Sequence, residues 1–307
     1  MKINSPVTYS NNVSKVDTLK VEDIIEVYKG FSNLSIQKYF SGIQRVDIYK
    51  CLDTGYRFFY PFSISGDREF YAFLEKSMNY YGDWRWEHRI IYRKIALRRK
   101  VLEIGCGNGD FIYKLKKEKI ADCVGLEFNH SAIKIARDKG LSVINETIEQ
   151  HALKNSSRYD FVCSFQVFEH ISDVKSHLES SIACLKEKGL LVIGVPNNNP
   201  YLFQHDKYHA LNLPPHHMGL WDKESLRNLE KFFPIKLESI LVEPLYDTDY
   251  FWDVMLKYFK KNNRIAYFIT SIISKYFKKL RNRFSRKIYE GRNILAIYSK
   301  NHSHDKI

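Results

Sequence analysis

Residues 101–110 read VLEIGCGNGD, and this stretch decides the fold. Its apolar first half predicts a buried strand, and the alternating glycines Gly105, Gly107 and Gly109 predict a tight turn. Asp110 then stands where an acidic residue favours the start of a helix. A strand, a glycine turn and a helix in this order let a ligand approach bare main chain beside a helix N-terminus.

Two classes of ligand use such a turn, dinucleotides and S-adenosylmethionine. The dinucleotide fingerprint is G-x-G-x-x-G, whereas here the third glycine comes one residue early and Asp110 takes its place. Glu103 and Asp110 flank the turn, and carboxylates suit a cationic sulfonium ligand better than a pyrophosphate. Glu127 follows Gly105 by 22 residues and ends the next predicted strand. From there an acid accepts hydrogen bonds from ribose hydroxyls, which both ligands carry.

Short apolar runs alternate with helical stretches from residue 100 onward, which is typical of a parallel sheet with both faces covered. A helical stripe from Asp173 to Lys188 is expected to end at a capping glycine, Gly189, and a later helix is predicted over Lys223 to Phe233. The predicted strands are 101–105, 123–128, 141–145, 160–165, 189–196, 235–244 and 293–300.

The net charge of +13 is concentrated in one segment of the 307-residue chain. Residues 254–300 hold 13 Lys and Arg and a single acid, Glu290, so the rest of the chain is close to neutral. Nucleic acid binding by the whole surface is therefore not expected. Five scattered cysteines and a polar N-terminus indicate a reducing compartment and argue against secretion. We expect a cytoplasmic protein.

Residues of about 100–300 resemble the class I S-adenosylmethionine-dependent methyltransferases, nearest to the ubiquinone-biosynthesis O-methyltransferases and their sugar-modifying relatives. VLEIGCGNGD matches their first motif, GLEFN the acidic strand end, residues 144–173 the stretch through the fourth strand, and GLLVIGVPN the fifth strand. The resemblance implies an α/β, Rossmann-like sheet of seven strands with the last antiparallel. S-adenosylmethionine is then the cofactor, at the carboxyl ends of the first strands.

The resemblance also assigns residues to the cofactor. Glu103, Gly105, Cys106 and Gly107 would surround the methionine moiety. Glu127 would hold the ribose, Phe128 would flank the adenine, Thr147 and Ile148 would border it, and Phe165 would cover the cofactor near its methyl group.

Histidines are the candidates for the proton transfer that hydroxyl methylation requires, because imidazole titrates near neutral pH. His170 follows the fourth strand, and His216 and His217 follow Pro214-Pro215 after the fifth strand. We name His217, His216 and His170 as candidate bases without ranking them. The alternative is that His216 and His217 are structural and bind backbone groups at a loop-to-helix junction.

No metal site is predicted. Some relatives bind a divalent metal through two acids and a histidine after the fourth strand, and the matching positions here are Gln166, Glu169 and His170. A glutamine removes a charge that a hard cation requires. The histidines at positions 205, 209, 216 and 217 lack a recognised zinc spacing.

Residues 1–95 are predicted to form a small N-terminal helical and aromatic region, with a helix over Val21–Lys29. The stretch around Cys51 resembles a zinc-ribbon knuckle whose second cysteine is replaced by Thr54. The aromatic residues 80–88 either cover the cofactor cleft or pack helix on sheet. The methyltransferase domain is predicted over 96–300, and 301–307 form a tail.

Residues 246–291 are predicted to form a basic insertion before the last strand. Apolar and basic residues interleave over 257–287 at helical spacing, as in a basic amphipathic helix or helix pair. Such a segment favours peripheral contact with an anionic membrane, and its alternatives are RNA binding or capping of the sheet.

These observations support three functions. The first is methyl transfer to a hydroxyl of a small molecule, sugar or lipid-linked glycan intermediate. The second is a nucleic-acid methyltransferase that uses the basic insertion, although the fourth strand is not followed by an Asn/Asp-Pro-Pro-aromatic loop or a Pro-Cys nucleophile. The third is a non-catalytic cofactor-binding module.

Overall fold

The computed structural model describes residues 2–32, 35–77, 84–95, 99–198 and 205–301. A small antiparallel sheet forms the N-terminal region. Its elements in chain order are β1 (Val13–Lys20), α1 (Val21–Ser32), β2 (Arg45–Cys51), β3 (Arg57–Tyr60), α2 (Arg68–Ser77) and α3 (Trp86–Tyr92). The helix predicted from Val21 is confirmed, whereas the three strands were not predicted from the sequence.

A seven-stranded sheet forms the body of the molecule. Its first part comprises β4 (Arg99–Ile104), α4 (Asp110–Lys117), β5 (Ala121–Leu126), α5 (His130–Asp138), β6 (Ser142–Ile144), α6 (Ile148–Ala152), β7 (Tyr159–Phe165), α7 (Val174–Ala183) and β8 (Leu185–Pro196). The chain then contributes β9 (Gly219–Leu220) to the N-terminal sheet. It returns through α8 (Lys223–Asn228) to β10 (Ile235–Pro244) and β11 (Glu290–Lys300).

The strand order of the large sheet is β10-β11-β8-β7-β4-β5-β6. The five strands from β6 to β8 are parallel, whereas β11 is antiparallel to both β8 and β10. Parallel strands need both faces covered, and successive residues of β4 confirm this. Val101 packs in one buried apolar cluster and Leu102 in another. The predicted α/β fold with an antiparallel last strand is confirmed.

Two helix boundaries differ from those predicted. Helix α7 ends at Ala183, so Leu185 belongs to β8 and Gly189 lies inside that strand instead of capping a helix. Leu185 pairs with Tyr159 of β7, and a register shift follows before Phe161 pairs with Leu190. The predicted helix was too long because Leu185, the first residue of the buried strand β8, is apolar and continues the helical spacing of α7.

The predicted helix over 223–233 is also shorter than expected. Helix α8 ends at Asn228, and a 3-10 turn over Leu229–Lys231 leads to β10.

The basic insertion consists of three helices, α9 (Thr248–Asn262), α10 (Arg264–Tyr276) and α11 (Lys278–Ile288). Buried Arg281 of α11 donates to Asp249 Oδ1 of α9 at 2.5 Å and to Ser274 Oγ of α10 at 2.7 Å. These bonds join the three helices. Of the helices described, none combines the length and apolar character required to cross a bilayer.

Candidate functional site

The glycine turn after β4 closes against the end of β5. The backbone N–H groups of Gly105 and Cys106 both donate to Leu126 O, at 2.8 and 3.0 Å. Gly105 has φ of +69°, and a Cβ there would lie 2.4 Å from Val167 Cγ2. Only glycine therefore fits this position, both for its backbone conformation and for its space.

The two carboxylates that flank the turn have different surroundings. Asp110 is held by Lys139, whose Nζ lies 2.6 Å from Asp110 Oδ1. Glu103 is buried, its Oε2 has no hydrogen-bond partner among the described residues, and burial raises the pKa of this carboxyl well above its usual value. Of the two carboxyl groups, Glu103 is therefore the one that has an oxygen without a hydrogen-bond donor.

Glu127 locks the turn to the end of β5. Its Oε2 accepts from Gly107 N at 2.8 Å, and its Oε1 accepts from Phe128 N at 2.8 Å and Asn129 N at 2.9 Å. A carboxylate offers about four lone-pair sites, so acceptor capacity is left for one more donor. The acid that the sequence assigned to ribose thus also holds the backbone of the loop.

A cleft of about 700 Å³ opens beside this turn, and we call it the cofactor cleft. Five residues that the sequence assigned to the cofactor line it, namely Gly105, Glu127, Phe128, Thr147 and Ile148. The opposite wall comes from the N-terminal region, through Ser65, Gly66, Asp67, Arg68, Tyr71 and Ala72. Thr147 also caps α6, since its Oγ1 accepts from Gln150 N at 3.1 Å.

A second cavity of about 600 Å³ adjoins the cofactor cleft, and we call it the histidine cavity. All three candidate bases line it, and so does Phe165. The two cavities have three lining residues in common, Gly105, Gln166 and His170. These three residues form the junction of the two cavities. A ligand in the cofactor cleft and a ligand in the histidine cavity would therefore meet there.

The histidines form one cluster, in which the nearest ring nitrogens of His170, His216 and His217 all lie within 4.8 Å of one another. His170 Nδ1 donates to His216 O at 2.6 Å, because a carbonyl can only accept. His217 Nδ1 lies 3.2 Å from Asn212 Oδ1, while Asn212 Nδ2 donates to Asn198 Oδ1 at 2.8 Å. The amide oxygen of Asn212 therefore accepts from His217.

Burial keeps His170 and His217 of this cluster uncharged near neutral pH. It lowers the pKa of His170 to about 4, and it lowers the pKa of His217 well below its usual value, with the neighbouring histidines adding to the effect. Burial also raises the pKa of Glu169, which lies below the rings, to about 8. A neutral imidazole can accept a proton or a hydrogen bond, which is what a hydroxyl acceptor offers.

The segment from Leu213 to Met218, which we call the histidine loop, is positioned by the N-terminal sheet. Phe58 of β3 pairs with Gly219 of β9, directly after the loop. Within the loop, Gly66 N donates to Pro215 O at 2.8 Å and Met218 N donates to Glu169 O at 2.7 Å. Residues 1–95 and 96–300 are thus not cleanly separate units, because β9 completes the N-terminal sheet.

Other sequence hypotheses have a definite outcome. The Cys51–Tyr56 stretch forms the tip of the β2–β3 hairpin, with Cys51 N donating to Tyr56 O at 2.8 Å. His205 packs on Tyr258 of α9, and His209 lies 2.9 Å from Arg292 Nη2, so neither joins the histidine cluster.

The described part of the aromatic segment before β4 packs on α4 and lines the histidine cavity, and none of its described residues lines the cofactor cleft. Residues 80–83 lie outside the described residues. Trp84 packs beside Phe111, with ring centroids 6.0 Å apart, whereas Arg85, Trp86 and Glu87 line the histidine cavity.

The sequence did not predict that Glu87 and Gln166, which both line the histidine cavity, form a hydrogen-bonded pair. Glu87 is buried, and its Oε1 accepts from Gln166 Nε2 at 2.8 Å. Gln166 has φ of +59°, which is strained for a residue with a side chain, and such strain concentrates at functional sites. An acid within an aromatic run is the local signal that could have indicated Glu87, but its partner Gln166 is 79 residues away.

Residues 78–231 match a family described as a methyltransferase domain, and this match covers half of the chain. The chain belongs to this family. Residues 78–231 therefore form an S-adenosylmethionine-dependent methyltransferase domain, as the motifs from residue 101 onward predicted.

Curated relatives of the methyltransferase domain include ubiquinone biosynthesis O-methyltransferases. The enzyme of Vibrio campbellii is 34% identical over 113 residues, which are 34% of this chain and 48% of that protein. The enzyme of Escherichia coli is 26% identical over 158 residues, 45% of this chain and 65% of that protein. The chain thus spans about half to two thirds of the length of these relatives.

Solved structures show the same fold. A chain from the complex between the Haloferax volcanii Trm112 methyltransferase activator and a methyltransferase matches with a TM-score of 0.50. It is 16% identical, and the match covers 71% of this chain and 90% of that one. This likeness bears on the fold alone.

The residues at the turn fit the cofactor of the methyltransferase domain. S-adenosylmethionine carries an ammonium group that the orphaned Glu103 Oε2 would suit, but Glu103 is not among the residues that line the cofactor cleft, so its contact with the cofactor stays a prediction. Glu127 keeps acceptor capacity for the ribose, and Phe128, with 49% of its surface exposed, presents a ring to the cleft. Cys106 and Gly107 belong to the turn beneath these groups, and their contact with the cofactor stays a prediction.

Proposed function

We propose that this protein transfers a methyl group from S-adenosylmethionine to a hydroxyl of a small molecule, a sugar or a lipid-linked glycan intermediate. The observation that carries the proposal is the junction of the cofactor cleft and the histidine cavity at Gly105, Gln166 and His170. When bound, S-adenosylmethionine supplies an electrophilic methyl group on a cationic sulfur.

The chain supplies a place for the acceptor and a destination for its proton. An acceptor in the histidine cavity meets His170, His216 and His217, of which His170 and His217 are held uncharged by burial. One of these rings would take the hydroxyl proton as the methyl group passes from sulfur to oxygen, the carbon–sulfur bond breaking as the oxygen–carbon bond forms. The walls around the junction are buried Phe165 and the bonded pair of Glu87 and Gln166, which limit access of water.

The ubiquinone biosynthesis O-methyltransferases among the relatives support oxygen as the atom that is methylated. Their names do not extend to a sugar or glycan. The cavity itself, lined by Arg85, Asn212, Arg292 and Asn293 as well as by histidines, offers hydrogen-bonding groups that suit a polyhydroxylated acceptor.

The acceptor in our proposal is presented at an anionic lipid surface by the basic insertion. Helices α10 and α11, and Phe277 between them, expose a stripe of large apolar side chains: Ile265, Phe268, Ile269, Ile272, Tyr276, Phe277, Leu280, Phe284 and Ile288. Apolar surface that is exposed in a continuous stripe marks an interaction site. Lys275, Lys278, Lys279, Arg283, Arg286 and Lys287 are exposed beside it.

The exposed apolar side chains and the position of the insertion favour a membrane over RNA, because phosphates occur in both. A small cleft of about 330 Å³ between α9 and α10 is lined by Lys257, Lys260 and Lys275, which suits headgroup phosphates. The two ends of the insertion, Leu245–Asp247 and Gly291–Asn293, line the histidine cavity. A lipid-borne acceptor would therefore reach the cavity from the surface that the helices contact.

The test is a labelled-methyl screen. The purified protein is incubated with S-adenosylmethionine labelled on its methyl group and with separate extracts of polar lipids, glycans and RNA. We expect label in the lipid or glycan fraction and an O-methyl group by mass spectrometry. Label in RNA alone would contradict the proposal.

A variant connects the label to the cluster. His217→Ala should lower turnover about 100-fold or more, because general base catalysis contributes about 10²–10⁴. The affinity for S-adenosylmethionine, measured by calorimetry, should stay unchanged. Wild-type turnover in this variant would return His217 to a structural role.

A further inference from the structure

The three histidines of the cluster come from two distant parts of the chain. His170 follows β7, and His216 and His217 lie in the loop before β9, so no spacing in the sequence indicates one site. Folding brings their nearest ring nitrogens within 4.8 Å of one another. All three side chains line the histidine cavity, which is large enough for a further ligand.

The hydrogen bonds orient two of these rings as metal ligands. His170 gives its Nδ1 proton to His216 O at 2.6 Å, and His217 gives its Nδ1 proton to Asn212 Oδ1 at 3.2 Å. Each ring therefore carries a lone pair on Nε2. Metal-binding histidines in proteins typically donate their other N–H to a carbonyl or a carboxylate, which fixes the tautomer in this way.

A buried carboxyl group beside His170 is a second feature that a bound cation would stabilise. Glu169 is only 1% exposed, and its Oε2 has no hydrogen-bond partner among the described residues. Its Oε1 lies 3.9 Å from His170 Nε2. Burial without a donor disfavours the charged form of this carboxyl group, and a cation bound beside it would stabilise that form.

We propose that His170, His216 and His217 bind a divalent transition-metal ion such as Zn²⁺, with an open position that faces the histidine cavity. Three histidines with an open fourth position are a pattern of catalytic zinc. In a tetrahedral zinc site the ligand nitrogens stand about 3.3 Å apart, so small side-chain rotations would close the present spacing. This ligand set leaves out Gln166, whose amide is engaged by Glu87.

Metal binding would change how the cluster acts on the acceptor. A hydroxyl bound at the open position of the metal would be polarised and would lose its proton more easily, so the histidines would act as ligands and not as direct bases. This catalytic part of the inference rests on the proposed function, whereas the binding of the metal does not.

Cobalt provides a test that is independent of activity. The full chain is stripped with a chelator and titrated with Co²⁺, which gives visible d–d absorption in nitrogen sites of low coordination number. We expect one equivalent to bind and Zn²⁺ to displace it. Absence of the absorption at millimolar Co²⁺ would overturn the inference.

Variants locate the metal. His170→Ala, His216→Ala and His217→Ala should each weaken Co²⁺ binding at least tenfold. His209→Ala is the matched control, since it removes a histidine of the same cavity that lies outside the cluster, and its Co²⁺ binding should equal that of the wild type. Thermal unfolding and S-adenosylmethionine binding report whether each variant folds. Undiminished binding in folded cluster variants would place the ion elsewhere and overturn the inference.

Activity separates the two proposals. Once an acceptor is found, a stripped enzyme that regains turnover with Zn²⁺ supports the metal site. A stripped enzyme with full turnover overturns the catalytic part of the inference and leaves the proposed O-methyl transfer intact.

Discussion

Single residues at the glycine turn combine binding with backbone support. Glu127 is the clearest case, because the same carboxylate accepts three backbone N–H groups and lines the cofactor cleft. A change at this residue therefore affects both the ligand and the loop that surrounds it.

We expect Glu127→Ala to weaken binding of S-adenosylmethionine by about 10- to 100-fold. The ribose hydroxyls lose a charged acceptor worth about 1.5–3 kcal/mol. Asp122→Ala is the control, since it removes an exposed acid from the opposite end of the same strand. Calorimetric titration of both variants checks the prediction, and equal affinities would show that Glu127 does not contact the cofactor.

Gly105 is limited by space as well as by backbone conformation. We expect Gly105→Ala to weaken cofactor binding by more than tenfold, because its new methyl group would overlap Val167 and shift the turn. Gly140→Ala is the matched control, since Gly140 has a similar φ of +76° with nothing within 4 Å of a Cβ. That change should cost about 1 kcal/mol of stability without affecting binding.

Thermal unfolding and cofactor titration distinguish these two effects. If both alanine variants lose stability and affinity equally, the φ angle alone would explain Gly105, and the contact with Val167 would not matter.

At the scale of elements, the three helices of the insertion are tied to one another but leave a large apolar face uncovered. The polar bonds of Arg281 lie on the inner side, and the apolar side chains of α10 and α11 lie on the outer side. A helix with this division binds at a lipid interface when basic residues accompany its apolar face.

We expect Phe268→Asp combined with Ile269→Asp to reduce binding to anionic lipid vesicles at least tenfold. Two apolar side chains that would enter the bilayer, each worth about 1.5–3 kcal/mol on burial, are replaced by anions. Leu153→Asp is the control, because Leu153 is an isolated apolar residue, 84% exposed, outside the insertion. Vesicle co-sedimentation measures all three proteins.

Two further measurements complete this test. Vesicles of neutral lipid should bind the wild type more weakly than anionic vesicles. An equal loss of vesicle binding in Leu153→Asp would contradict a membrane-binding face. So would a wild type that binds RNA but not vesicles, if the double variant no longer binds RNA.

At the scale of the whole molecule, the insertion is an addition to a complete sheet. Pro244 and Glu290 are register partners in the β10–β11 pair, so the two ends of the insertion are adjacent. The buried residues Leu245, Phe251 and Val254 form a small cluster of their own, separate from the clusters of the sheet.

We therefore expect a variant with residues 248–288 replaced by a short Gly-Ser turn to fold and to bind S-adenosylmethionine with unchanged affinity. It should lose vesicle binding and turnover of a lipid-borne acceptor. Calorimetry measures the affinity for S-adenosylmethionine, and co-sedimentation measures the binding to vesicles. A variant that folds but no longer binds the cofactor would show that the insertion supports the cofactor cleft.

The sequence by itself determined the sheet and the cofactor end of the site. Strand, glycine turn and acid are neighbours along the chain, and period and spacing express such local relations directly. For the same reason Gly105 and Glu127 could be assigned from spacing before the cleft was seen, whereas Phe128, Thr147 and Ile148 were assigned by the resemblance to the class I methyltransferases.

Tertiary structure alone decided the acceptor end. The N-terminal strands were not recognised, and their pairing with β9 brings His216 and His217 to His170 across 46 residues of chain. Glu87 and Gln166 likewise meet only in the folded protein. Contacts between distant segments depend on packing and on hydrogen bonds that no local pattern encodes, so the histidine cluster was visible as candidates and not as one site.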